Sequence, residues 1–330
     1  MRIYRPRRGV RTRAALAVAV SGALLAGCGL TSGSPMADAV RPGSIGQGEP
    51  LKGAHLTVAS KEFTEQLVLG AVMGIAFEAG GADVVDRTGI QGSFGARAAV
   101  ENGDADGMYE YTGTAWITYQ GNAKPVPDPD KQWKVVKEAD AKKGIAWLPP
   151  ASLNNTYALA LNQANLRKYK PKTLSDVAAL AKKNPGAVSL CVEGEFSARE
   201  DGLPGMQRAY GMKLASNKIQ KMDGGVVYTQ VSQGRCTFGE VFTTDGRIQA
   251  QHLTVLADDK HFFPNYNVAP EIRASTLKKY PGIADVLDPI TKKLTNKVAQ
   301  ELSAKVDVDG EDPHEVALDW LKKEGFVKGG

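Results

Sequence analysis

A chain of 330 residues with 41 basic against 36 acidic side chains has a formal charge of +5, which at first suggests an acidic partner. Six of those arginines (Arg2, Arg5, Arg7, Arg8, Arg11, Arg13) sit ahead of the first apolar run; taking 6 from 41 leaves 35 against 36, a balance of −1. The charge argument for nucleic acid therefore fails, and residues enough for two domains or one large one remain.

The arginine-rich start is followed by an apolar run from Ala14 to Ala26, too short to span a bilayer and matching the core of an export signal. Leu25-Ala26-Gly27-Cys28 then resembles a bacterial lipobox, so residues 1–27 are expected to be removed and Cys28 to carry the lipid. Arg7-Arg8 leaves a Sec or a twin-arginine route open. Residues 28–53 are rich in Gly, Ser, Pro and Ala, which predicts a flexible tether. Cys191 and Cys236 remain, each in a strand-like context. An exported chain meets an oxidising compartment, where this pair is free to bond; the sequence does not show that they meet.

The folded part opens with a predicted strand, His55–Ser60. It runs into Lys61 and then a helix in which Thr64 is placed to cap, with Glu65 and Gln66 in the first turn. Leu67, Ala71 and Ile75, with Val68, Val72 and Ala76, recur at helical spacing, and Gly80-Gly81 ends the run before a second strand from Ala82. This β-α-β start predicts an α/β fold, with Lys61 at the carboxyl end of a strand, where open sheets bind ligands.

A short helix is expected over 96–101. Tyr109-Glu110-Tyr111-Thr112-Gly113-Thr114 follows, reading either as an ordinary strand or as the wall of a small-molecule site. A Pro/Asp loop at 125–130, a helix over 133–143 and a strand at 145–148 lead to Pro149-Pro150, where the chain is expected to pass between lobes. Thr173 with Asp176 predicts a capping box. After Cys191 the stretch 195–205 is polar and turn-rich, with a helix from about 206 to 210. Leu253–Leu256 reads as a crossing back, and His261–Asn267 as an aromatic turn region. Asp312-Pro313-His314-Glu315 then starts a terminal helix, and Gly325 ends it.

Catalytic patterns are missing. The four histidines are scattered, and no zinc spacing, P-loop or Gly-x-Ser-x-Gly occurs. No metal site and no cofactor are expected, and the chain is read as a binding protein rather than an enzyme.

Six blocks carry a family resemblance: Ser60–Gln66, Glu110–Thr114, Asn154–Tyr157, Asp201–Gly205, Thr244–Ile248 and Phe262–Asn267. With them in this order, the chain resembles the OpuAC/ProX-type substrate-binding proteins of osmoprotectant ABC importers. The resemblance implies a two-lobe, type II periplasmic-binding-protein-like α/β fold with two inter-lobe crossings and the ligand in the cleft. The expected lobes are 54–152 plus 256–330, and 153–255.

It also implies an aromatic cage of Tyr111, Tyr157, Phe242 and Tyr266 around a quaternary ammonium. Such a group has no N–H to donate, so ring faces select it. Phe242 departs from the family's usual Tyr. Lys61, Thr114 and Arg199 are implied near a ligand carboxylate, with Asn155 close to the cage; two cations there favour betaines and carnitine over choline, unless Arg199 is spent on an acid such as Asp201. The implied partners are a permease and its ATPase. The protein would be a monomer held on the outer face of the cell membrane by its lipid alone. A same-fold receptor for another solute (an amino acid or an aromatic compound) and a surface hydrolase are the alternatives.

Overall fold

In the computed structural model, which describes residues 34–35, 40–122 and 124–329, the first elements follow directly from their patterning. His55–Lys61 forms β1 and leads into α1 (Thr64–Ala79). A helix apolar on nearly every side has to be covered on nearly every side. Val68, Leu69, Val72, Met73, Ile75, Ala76 and Phe77 are each at most 2 % exposed, and full burial of side chains of this size contributes roughly 1.5–3 kcal/mol apiece. Gly70 sets how near α1 comes to the sheet: a Cβ there would meet Thr88 Cγ2 at 2.6 Å.

The chain continues through β2 (Asp83–Ile90), α2 (Ser93–Asn102), β3 (Gly107–Tyr111), α3 (Pro129–Ala141) and β4 (Ile145–Trp147). It then builds a second sheet from β5 (Tyr157–Leu161), α4 (Leu174–Lys183), β6 (Leu190–Glu193), α5 (Leu203–Tyr210), β7 (Ile219–Met222), α6 (Gly224–Ser232), β8 (Phe238–Phe242) and β9 (Thr254–Val255). It returns with β10 (Val268–Arg273) and ends in α7 (Gly282–Thr291), α8 (Asn296–Asp307) and α9 (Pro313–Lys323). The C-terminal α9 packs on α1.

The first sheet has the order β2-β1-β3-β10-β4, with the two-residue strand Ser34–Pro35 outside β2; the second has the order β9-β5-β8-β6-β7. In the first sheet β1, β2 and β3 pair in parallel, while β10 runs antiparallel to β3 and β4 and Ser34–Pro35 antiparallel to β2; in the second β6, β7 and β8 pair in parallel, while β5 runs antiparallel to β8 and β9. The chain leaves the first sheet between Trp147 and Tyr157 and re-enters it between Val255 and Val268. The two crossings run together, bridged at Asn154 and Asn267. The fold is thus a two-lobe α/β type with both crossings adjacent, which puts the carboxyl ends of β1, β3 and β8 beside the junction.

The caps expected at Thr173 with Asp176 and at Asp312 are present. Others differ. Phe63, not Thr64, occupies the cap position of α1, and the Thr64 hydroxyl donates to Asp307 instead (2.7 Å). Helix α3 begins inside the expected loop, because Asp128 accepts from Lys131 N and Pro129 fits the first helical position.

Residues 40–53, read above as the far end of a tether, pack on the fold. Arg41–Pro42 pairs with Val327–Lys328, and Ile45 and Leu51 are buried. Two isolated apolar residues suffice to dock the segment, helped by the Leu51 N–H donating to Gly80 O (2.8 Å). Cys236 lies in a bend just before β8 rather than in a strand, and is bonded to Cys191 across 45 residues of sequence. Cys28 and the export signal fall outside the described residues. Among the described residues, no helix is long and apolar enough to cross a membrane, and no group of His, Cys, Asp and Glu could hold a metal ion.

Candidate functional site

Strand ends and crossings bring distant aromatic residues together. Tyr111 closes β3, Phe242 closes β8, and Tyr157 opens β5 directly opposite Phe242 in the antiparallel register. Tyr266 arrives on the return crossing, where its N–H donates to Asn154 Oδ1 (2.7 Å). Gly113 permits the approach: a Cβ there would sit 2.6 Å from Tyr266 Cδ1. The Tyr157 ring lies 5.2 Å from Phe242, tilted, and 5.4 Å from Tyr266, edge-on. Phe63 adds a fifth ring, stacked 5.2 Å from Phe242 and 6.2 Å from Tyr111. It fills the side between those two. A ring at the cap of a helix reads as ordinary core packing, which is why the sequence did not single it out, although it lies within the Ser60–Gln66 block.

These rings line a cavity of about 490 Å³ together with Lys61, Thr114, Asn155 and Arg199. Both cations are already paired inside the protein. Lys61 Nζ lies 2.7 Å from Glu110 Oε1, both side chains buried. Arg199 grips Asp201 with two nitrogens (2.8 and 2.6 Å), reaches Glu195 Oε1 (2.7 Å), and donates to Thr114 Oγ1 (3.3 Å). The fork geometry suits a carboxylate, and here Asp201 supplies it. The preference for a ligand carboxylate therefore loses its simplest support, since neither cation waits unpaired.

Carboxylates stand behind the rings. The Tyr111 hydroxyl donates to Glu65 Oε1 and the Tyr266 hydroxyl to Asp201 Oδ2, each at 2.6 Å. Glu65 also accepts from Asn155 Nδ2 (3.0 Å) and from Thr244 Oγ1 (2.6 Å). Burial raises its carboxyl above the ordinary range, while the hydrogen bonds from Thr244, Tyr111 and Asn155 pull it back. Glu195 shows the opposite balance. Burial alone would raise it, but Lys61, Arg199 and the two donors of Ser93 bring it down to about 2. It accepts from Ser93 N (2.9 Å) and Ser93 Oγ (2.6 Å) at the start of α2, a clasp between the two sheets' ends. Tyr109 and Glu110 serve as support, Tyr109 through Thr291 (3.0 Å) and Glu110 through Lys61 and Tyr119.

The cavity is thus lined by ring faces, with carboxylates behind two of them. Fold and site define a two-lobed solute-binding protein of the type II class. The chain belongs to the OpuAC family, the substrate-binding domain of ABC-type glycine betaine transport systems, whose pattern matches residues 54–323. That family comprises binding proteins of transporters, not enzymes. The chain is 38% identical over 280 residues to the glycine-betaine-binding protein of Pseudomonas aeruginosa, covering 83% of this chain and 89% of that one. It is 32% identical to the glycine betaine-binding protein YehZ of Escherichia coli, covering 84% and 94%. A solved structure described as a glycine betaine/carnitine/choline ABC transporter superposes with a TM-score of 0.68 at 25% identity, covering 82% of this chain and 99% of that chain.

Proposed function

We propose that this protein is the extracytoplasmic receptor of an ABC importer for quaternary amines, lipid-anchored through Cys28, that hands its ligand to a permease driven by an ATPase. The observation that carries the reading is the convergence of Tyr111, Tyr157, Phe242 and Tyr266 on one cavity from four separate segments. Each desolvated ring contact with an ammonium contributes roughly 0.5–2 kcal/mol. Four of them reach a micromolar affinity near 8 kcal/mol with modest help from the polar residues. Lys61, Thr114, Asn155 and Arg199 orient the other end of the ligand.

The lobes, 54–152 with 256–330 and 153–255, close over the ligand about the paired crossings, and the permease recognises the closed form. Glycine betaine, carnitine and choline are the ligands this reading names. Titration calorimetry with these three, and with proline as a control, tests it; no heat from any quaternary amine into the millimolar range sinks it. Replacing Cys28 by Ser should release the protein from membranes, and continued anchoring would refute lipidation.

A further inference from the structure

Glu65 lies within the Ser60–Gln66 block, yet none of the site roles given above falls to it. Its side chain is buried, lines the cavity, and touches a cage ring through the Tyr111 hydroxyl. Its hydrogen-bond partners, Tyr111, Asn155 and Thr244, are all neutral, and among the described residues it forms no ion pair. The cations of the cavity are committed elsewhere: Lys61 to Glu110, Arg199 to Asp201 and Glu195, Arg247 to Asp245. A buried carboxylate without a countercharge is costly, so its position beside an ammonium-shaped cage is an unbalanced charge that a ligand can balance. A second observation points the same way. Asn155, which holds Glu65 through its amide nitrogen, leaves Oδ1 buried with no hydrogen-bond partner. Asn155 itself lines the same cavity.

Resting on the quaternary-amine reading, we propose that Glu65 is the specificity-determining residue of the site, supplying the countercharge to the ammonium, so that ligands of net positive charge bind in preference to zwitterions. A purely cationic ligand gains the full attraction of Glu65. A betaine gains it at one pole and gives part of it back at the other, because its carboxylate must enter a cavity whose cations are already neutralised. The tyrosine walls strengthen the effect. A hydroxyl donating to a carboxylate makes its ring richer in electrons, and Tyr111 and Tyr266 both do so.

Glu65→Gln is nearly isosteric and can keep all three contacts: its carbonyl accepts from Tyr111 and Asn155, and its amide donates to the Thr244 oxygen, which is able to accept. Only the charge is lost. Titration calorimetry with choline, tetramethylammonium and glycine betaine on the wild type and on E65Q reads the outcome. The expected result is that choline and tetramethylammonium weaken at least tenfold while glycine betaine weakens less than about threefold, a loss near 0.7 kcal/mol. Equal weakening of all three, or no change, overturns the inference. Should E65Q fail to fold, the wild type alone decides: choline must bind more tightly than glycine betaine, and the reverse order refutes the proposal. Failure of the underlying reading is distinguishable, since a wild type giving no heat with any of the three would defeat that reading itself.

Discussion

Removing the Tyr111 ring is the sharpest test of the cage, because the structure separates what the ring does from what its hydroxyl does. Tyr111→Ala deletes a wall that is 4 % exposed and packs beside Phe63 at 6.2 Å. It forfeits one ammonium contact, roughly 0.5–2 kcal/mol, and leaves a hole beside the ligand. It also takes one of three donors from Glu65. Together these predict at least a tenfold loss in affinity, about 1.4 kcal/mol. Tyr111→Phe keeps the ring and loses only the hydroxyl bond to Glu65. That bond is charge-assisted and worth about 1.5–3 kcal/mol to the fold, so the variant should melt several degrees lower while its affinity falls much less than that of the alanine variant. Calorimetry with a quaternary amine and a thermal melt of each variant read the two effects separately. If both substitutions weaken binding equally and strongly, the hydroxyl and not the ring is what the ligand needs. If both are nearly neutral, Tyr111 is a wall of the cleft and the cage reasoning fails.

Three further outcomes follow from the fold and its charges. Replacing Cys191 and Cys236 by Ser frees a 45-residue separation, and loop-closure entropy puts the cost at about 4 kcal/mol; a loss below about 1 kcal/mol in urea unfolding would contradict it. Glu195→Ala removes both the clasp to Ser93 and the ion pair to Arg199 and should lower stability in urea unfolding at neutral pH; an unchanged midpoint would refute it. Because the Glu195 carboxyl is lowered to about 2 from an ordinary value of 4.5, its contribution to stability is complete above pH 4.5 and is lost as pH falls through about 2; the stability of the variant should lack that acid limb. Glu240 shows the reverse sign. Burial pushes its carboxyl up to about 8, so the folded state holds a proton that the unfolded state releases, and stability falls as pH rises from about 4.5 to 8. Glu240→Gln should flatten that fall in urea titrations across this range while keeping the bond from Glu193 N (3.1 Å); an unchanged slope would show that Glu240 is ionised in the folded protein.

Local chemistry was readable where it acts locally. Thr173 with Asp176, and Asp312 with Pro313, mark their helices because cap, first turn and stop lie within a few residues. The four cage aromatics were legible only through resemblance, since each alone is an ordinary strand or turn residue. The charge pairing was not legible. Lys61 meets Glu110 across 49 positions of sequence, and a lysine at a strand end looks equally fit to greet a ligand. Glu65 falls in the first turn of α1, and nothing near it in sequence shows Thr244 or Asn155 arriving from the other side. Residues 40–53 misled for a related reason. Their composition is that of a tether, yet burial of Ile45 and Leu51 against a surface formed far along the chain decides their state.

The paired cations bear on how a zwitterion could bind at all. For a betaine carboxylate to engage Arg199, it must displace Asp201 from a two-point grip or share the guanidinium with it and Glu195. Displacement would strand a buried Asp201 whose other partner is the Tyr266 hydroxyl of the cage itself, and breaking such a pair is strongly unfavourable, on the order of 3–5 kcal/mol. Sharing adds a third carboxylate around one cation. On the proposed reading the ammonium meets no such competition: two of the rings around it, Tyr111 and Tyr266, direct their hydroxyls to carboxylates, and among the described residues Glu65 has no ion-pair partner to give up. Phe242 fits this division. It packs on Phe63 and Tyr157, while Tyr111 and Tyr266 direct their hydroxyls to Glu65 and Asp201. On the proposed reading, the ammonium end of the ligand is therefore the end the site selects.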